Sequence, residues 1–341
     1  MAKEQQQGKL GLLKYLSFAP EAREDGGESA PVEGRFRYFW STFRANNGQL
    51  MLVNLLFLVT MLPLIAIVIL PNAAPNIFGA ESLYYWMNGT TDLPYYLSGV
   101  GFGMSRVSDF TTARADLLIV YAWEFLFIGV ALVIGSIGTA GLMHVCVKFV
   151  WKDSFICKKD SYGNQVPRVV IEFFRGIKKF WWQYLIVGVI LGVLVGGVGN
   201  AYVYFLRQFR LGLAGAGEWI LVIALSLVAL VGICFVLFML PTIVLYDIPF
   251  LQKMKNSIIL TISMALQNLF LLVLVAIPIV LIAVTTDFIS ILILALILVF
   301  GGPFYGILLA NYGQYFSEKI ITPVYIARSG KYKSKQKKKK N

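Results

Sequence analysis

The sequence predicts an all-α polytopic membrane protein, with six transmembrane helices arranged as three tandem hairpins. Three observations predict it. The 341-residue chain is 58% hydrophobic and only 14% charged, whereas a soluble domain carries about a quarter charged residues. Six apolar runs approach the length that crosses a ~30 Å hydrocarbon core, about 20 residues. The basic residues also segregate. Of the 30 Lys and Arg, only Arg106, Arg114, Arg207 and Arg210 fall on the connections that follow the odd-numbered runs. Positive charge collects on the cytoplasmic side. The expected arrangement is therefore a multi-pass protein of the cell membrane with both termini cytoplasmic.

Residues 1–34 read as a flexible cytoplasmic arm, because Pro20, Gly26, Gly27 and Pro31 break any sustained period. No cleavable apolar core of a signal peptide is expected there. A membrane domain follows over 35–325. Its apolar runs are 50–70, 117–137, 184–206, 219–240, 269–285 and 288–312, the fifth being short. The long outer loop, 71–116, carries Tyr84, Tyr85, Trp86, Tyr95 and Tyr96, rings that suit headgroup depth. Asp153, Asp160 and Glu172 stand among lysines between the second and third runs and read as solvated charges. The tail, 326–341, ends in a lysine cluster that is attracted to anionic lipid headgroups. No nucleic-acid partner is expected, because no fold signal accompanies the basic residues.

A repeat precedes the odd runs. Phe39 to Gln49 and Phe173 to Gln183 align when Gln49 is set on Gln183. Both segments interleave aromatics with cations, the pattern of an amphipathic helix lying in the cytoplasmic interface. The segment 251–267, with Lys253 and Lys255, is a weaker third copy. The even runs share glycine and proline near their cytoplasmic ends: Gly138 and Gly141, then Pro241, then Gly302 and Pro303. Three such positions at matched depth are candidate helix breaks, which can expose backbone to a cavity. Gly188, Gly192 and Gly196 form a small-xxx-small ridge that lets a second helix approach closely.

Little in the chain can carry chemistry. The single histidine, His144, rules out a His-rich metal site and reads as a packed or interfacial residue. The cysteines read as small apolar residues in a reduced setting. No cofactor, metal site or catalytic residue is expected: the sequence lacks a phosphate-binding GxxxxGK[ST] loop, a GxSxG elbow and a kinase signature set. Glu124 is the one carboxylate placed inside an apolar run, about 10 Å deep at 1.5 Å per residue. Such groups often serve transport, so Glu124 is a candidate cavity or coupling residue, weighed against a hydrogen-bonded structural role. Asn54, Asn200 and Asn311 fit helix-to-helix hydrogen bonds.

The stretches VNLLFLVTMLPLIAI (53–67), IGTAGLMHV (137–145) and FFRGIKKFWWQYL (173–185), with 238–268, resemble the YesL-like family of bacterial integral membrane proteins. The family turn after the second span resembles Gly-Pro-Ala-Thr, while this chain has Gly138-Thr139-Ala140-Gly141 without the proline. The long outer loop and the basic tail also depart from the shorter family form. The resemblance implies a non-enzymatic accessory or regulatory component linked to carbohydrate ABC-type transport, partnering other membrane transport subunits. The alternatives are a small transporter or channel with a cavity at the helix breaks near Glu124, and a lipid-interacting membrane scaffold.

Overall fold

In the computed structural model, the described residues are 34–66, 118–152, 155, 157–159, 165–284 and 287–318. The arm before Gly34, the outer loop 71–116 and the tail 326–341 lie outside them. Eight helices are described: α1 (Arg35–Ala45), α2 (Asn47–Thr60), α3 (Leu118–Trp151), α4 (Val169–Arg210), α5 (Ala216–Leu245), α6 (Phe250–Ser263), α7 (Ala265–Val284) and α8 (Asp287–Phe316). Two three-residue strands, β1 (Cys157–Lys159) and β2 (Gln165–Pro167), pair antiparallel between α3 and α4. Four helices contain stretches long and apolar enough to cross a membrane: Phe125–Trp151, Val169–Phe209, Ala216–Leu245 and Ala295–Phe316. A fifth is added if α6 and the start of α7, which meet at 93°, are counted as one. The first expected run appears as α2 and helical residues 62–66, beyond which it leaves the described residues.

Two local expectations change. The glycines and prolines of the even runs do not interrupt their helices: α3 is continuous through Gly138 and Gly141, α5 through Pro241, and α8 through Gly302 and Pro303. A proline removes one backbone hydrogen bond, and neighbouring helices supply partners for nearby carbonyls here, as described below. The second amphipathic segment is also not a separate helix. It forms the first turns of α4, whose 42 residues extend about 63 Å at 1.5 Å per residue, twice the hydrocarbon thickness.

The chain divides into two compact units. The first unit gathers α1, α2, the part of α3 from Ser136, the part of α4 up to Val187, the part of α5 from Ile233, and α6 to α8. The repeat is plainest here. With Gln49, Gln183 and Gln267 superposed, α1–α2, the start of α4 and α6–α7 share one burial pattern. Tyr38, Glu172 and Asn256 are equivalent and buried; so are Phe39, Phe173 and Ser257, then Thr42, Gly176 and Leu260, then Leu50, Tyr184 and Asn268, then Val53, Val187 and Leu271. Between them, Trp40, Phe174 and Ile258 are equivalent and exposed, as are Arg44, Lys178 and Ile262. The breaks coincide too. Asn46 (φ −114°, ψ 18°) and Met264 (φ −117°, ψ 31°) occupy the same position and nearly the same backbone conformation. Phe180 takes that position in the second copy and stays helical, buried beneath the Lys179 and Lys253 ammonium groups.

The lead segments also dock alike, each on the C-terminal part of another helix: α3, α5 or α8. The α4 segment meets α3 at Gly141 and His144, and α6 meets α5 at Ile243. The first copy, α1, meets the last helix: Asn311 Nδ2 donates to Arg35 O at 3.1 Å, and the Arg35 guanidinium donates to Gln314 and Glu318. Each copy thus packs on the hairpin before it, and the first closes on the third.

The second unit contains residues 61–135 and 188–232. Here the glycines of α4 face α3. A Cβ on Gly192 would lie 2.6 Å from Gly129 O, and one on Gly129 would lie 2.7 Å from Gly192 O. Gly196 is spaced 3.5 Å from Phe125 O on the same measure, and Gly188, the first residue of this unit's part of α4, is buried. The α4–α5 connection ends α4 on Gly212, whose φ of +70° is left-handed. Leu213 N donates to Gln208 O and Gly212 N to Phe209 O, the paired bonds that close a helix on a C′ glycine. Glu218 then accepts from Gly215 N at 2.8 Å, and so caps the start of α5.

Candidate functional site

Glu172 is the centre of the most unusual chemistry among the described residues. It was expected as a solvated loop charge, and the structure places it in the first turn of α4 with no exposed surface. Helical spacing decides this. Glu172 shares a face with Phe173, Gly176 and Phe180, all buried against the rest of the unit, while Arg175 points partly to solvent. The facing surface is the last two turns of α3, where His144 and Lys148 stand four residues apart and so on one side.

The carboxylate is fully engaged. Oε2 lies 3.1 Å from Lys148 Nζ and 3.2 Å from His144 Nε2, and Oε1 lies 3.3 Å from Arg175 NH1. Lys148 and His144 are themselves buried, while the Arg175 side chain is about half-exposed. Burying a carboxylate is tolerable only with such compensation. With Lys148 as the charged partner, the geometry assigns the Nε2–H tautomer to His144, donating to Glu172. Its Nδ1 is buried without a hydrogen-bond partner. Gly176 permits the approach, since a Cβ there would sit 2.5 Å from His144 Cβ.

The equivalent positions in the other two copies are polar but uncharged. Tyr38 donates its hydroxyl to Val150 O at 2.5 Å, and burial raises its phenol above the usual value. Asn256 is buried on α6. On the same helix, Lys253 lies 2% exposed, its ammonium donating to Gln183 Oε1 at 3.0 Å and Ile243 O at 2.7 Å. It was expected as an interfacial cation. It instead caps the C-terminal turn of α5, where a positive charge meets the negative end of the helix dipole.

Further polar side chains bond backbone groups near the prolines. Tyr184 donates to Leu240 O, beside Pro241, at 2.5 Å. Tyr305 donates to Val275 O, three residues before Pro278, at 3.1 Å. Asn54 does both jobs near Pro303: its Nδ2 donates to Leu298 O at 2.6 Å and its Oδ1 accepts from Gly302 N at 3.0 Å. One amide thereby bridges a helical i, i+4 pair from outside. Asn311 likewise reaches another helix, whereas Asn200 turns back to Gly196 O of its own helix.

The remaining candidate positions lie elsewhere. Glu124 belongs to α3, but its side chain is outside the described residues. Gly138 and Gly141 face Thr60 and Phe173, Gly302 faces Asn54 and Phe57, and Pro241 and Pro303 are buried. Among the described residues no group of three His, Cys, Asp or Glu side chains is placed to hold a metal ion. Glu172, Lys148 and Lys253 went unnoticed in the sequence as site residues. Two signals pointed to the first two: the four-residue spacing of His144 and Lys148, and the alignment that sets Glu172 on Tyr38 rather than on a cation. No protein-family model, curated protein or solved structure matches this chain.

Proposed function

We propose that this chain is a non-enzymatic integral membrane protein with six spans and both termini cytoplasmic, acting as an accessory or regulatory component of a carbohydrate ABC-type transport system. The observation that carries the reading is how polar side chains of the first unit are used. Asn54, Tyr184, Tyr305 and Lys253 are spent on backbone carbonyls of neighbouring helices. The glycines at 138, 141 and 302 are covered by Thr60, Phe173 and Phe57. A conducting pathway needs polar atoms turned toward a cavity, and these are turned toward other helices. The resemblance of 53–67, 137–145 and 173–185 to YesL-like proteins supports the transport link. In the second unit, Val193, Ile220, Ile223, Leu227 and Val231 are exposed, apolar surface that suits lipid or a partner's membrane helices.

Purification of the full chain from native membranes in mild detergents tests this. Permease subunits should co-purify near stoichiometrically. Recovery of the chain alone across several detergents would overturn the accessory reading. A second reading, a small transporter, is favoured by one observation: a fully buried carboxylate beside buried lysine and histidine is a default functional candidate in a membrane protein. Vesicles containing the purified chain should then show solute flux that Glu172→Gln or Glu124→Gln reduces. Absence of flux by the unaltered chain removes this reading.

A further inference from the structure

The exposed surface of the lead segments carries an apolar stripe and a basic sector beside it. On α4, at about 100° per residue, Val170, Phe174 and Trp181 fall within about 40° of one another and are all exposed. Arg175, Lys178 and Lys179 are also exposed and occupy the adjoining sector, about 80–180° round the helix, which they share with exposed Ile171 and Trp182. Buried Glu172, Phe173, Gly176 and Phe180 complete the circle. Apart from Glu172, this stretch carries no acid. The first copy repeats the division: Phe36 and Trp40 are 82% and 54% exposed, and Arg37 and Arg44 lie exposed on the next sector. In the third copy the position of Arg44 and Lys178 is Ile262, and only Lys255 remains of the basic sector.

We propose that the first two copies are binding surfaces for anionic phospholipid, and that the third is not. Each places aromatic rings where acyl chains begin and cations where phosphates lie, one stripe beside the other, in the geometry of a helix seated at a membrane interface. Arg44 and Lys178 are the equivalent headgroup ligands, assisted by Arg37 and Lys179. Trp40 and Trp181 are the membrane-seated rings. These cations lie on folded helices of the membrane domain, so the surface does not depend on the basic tail.

The full chain in phosphatidylcholine vesicles containing brominated phosphatidylglycerol tests the proposal, with brominated phosphatidylcholine as the reference. Quenching of tryptophan fluorescence reads the relative affinity, and Trp40→Phe with Trp181→Phe assigns the signal. The unaltered chain should prefer the anionic lipid by more than about tenfold, from about fivefold for each of the two cations on a surface. Arg44→Gln and Lys178→Gln should each lower that preference, by about fivefold per neutralised cation, while Arg44→Lys and Lys178→Arg should keep it. Ile262→Gln should leave it unchanged, and Ile262→Lys should raise it. Equal quenching by the two lipids, or a preference unaltered in Arg44→Gln/Lys178→Gln, would overturn the proposal. Abolition of the preference by millimolar inorganic phosphate at constant ionic strength would overturn it too, because the site would then take a free anion. The charge-keeping variants separate a lost lipid site from a misfolded chain.

Discussion

Replacing Glu172 with Gln keeps the size and hydrogen-bonding shape of the side chain and removes its charge. Lys148 Nζ stands 3.1 Å from the carboxylate. At an effective dielectric of about 20 the attraction at that distance is roughly 5 kcal/mol. Arg175, half-exposed, can turn to solvent and is discounted. Lys148 cannot, and an uncompensated buried cation costs about 3–5 kcal/mol. Glu172→Gln should therefore destabilise the protein by about 3 kcal/mol, at the lower end because the amide still accepts one bond. Lys148→Met should cost less, about 1.5–3 kcal/mol, the value of a hydrogen bond to a charged group, since Arg175 and His144 still serve the carboxylate. The double variant should be more stable than the sum of the two by at least about 1.5 kcal/mol, because the stranded cation is gone. Reversible unfolding of the purified chain in mixed micelles, titrated with a denaturing detergent, measures all three. A Glu172→Gln protein within about 0.5 kcal/mol of the original, or costs additive to that precision, would refute the pairing argument.

Three further outcomes follow from the packing. Asn54→Leu strips the bridge between Leu298 O and Gly302 N and should cost about 1–2 kcal/mol, near 0.6 kcal/mol or more for each interhelical bond, read by the same titration. Gly192→Ala drives a methyl into Gly129 O and should cost about 1–3 kcal/mol through forced separation of backbones, while Gly197→Ala, with nothing within 4 Å, should be neutral or stabilising by up to about 1 kcal/mol. A larger loss at Gly197 than at Gly192, by thermal unfolding, would contradict the described contact. Lys253→Met leaves Ile243 O and Gln183 without their donor, and hydrogen exchange at the α5–α6 turn should accelerate, whereas Lys255→Met, on an exposed residue, should not change it.

The helical membrane architecture was legible because it rests on length and hydropathy alone. Lipid demands internally bonded backbone, so an apolar run of sufficient length becomes a helix whatever its neighbours do. The repeat was legible for a similar reason: Gln49, Gln183 and Gln267 mark where each amphipathic segment gives way to an apolar run. The glycines and prolines expected as breaks leave their helices continuous, and the side chains that pack beside them come from far away in sequence. Asn54 lies 244 residues from Leu298, and nothing local in either segment announces that one will serve the other. Lys253 was misread likewise, since a lysine before an apolar run looks interfacial until the C-terminal turn of α5 is set above it.

The sequence by itself determined that the chain is helical, that its spans are apolar, and that its lead segments repeat with cations and rings in alternation, all consequences of composition and 3.6-residue periodicity. Only the tertiary structure decided which of those charges are buried. Period tells which residues share a face, but several faces of a helix compete for the interior. The choice of inner face, and with it the fate of Glu172, was made by what packs there: the glycine at 176 that admits His144, and the lysine four residues further along α3 that makes a buried carboxylate affordable.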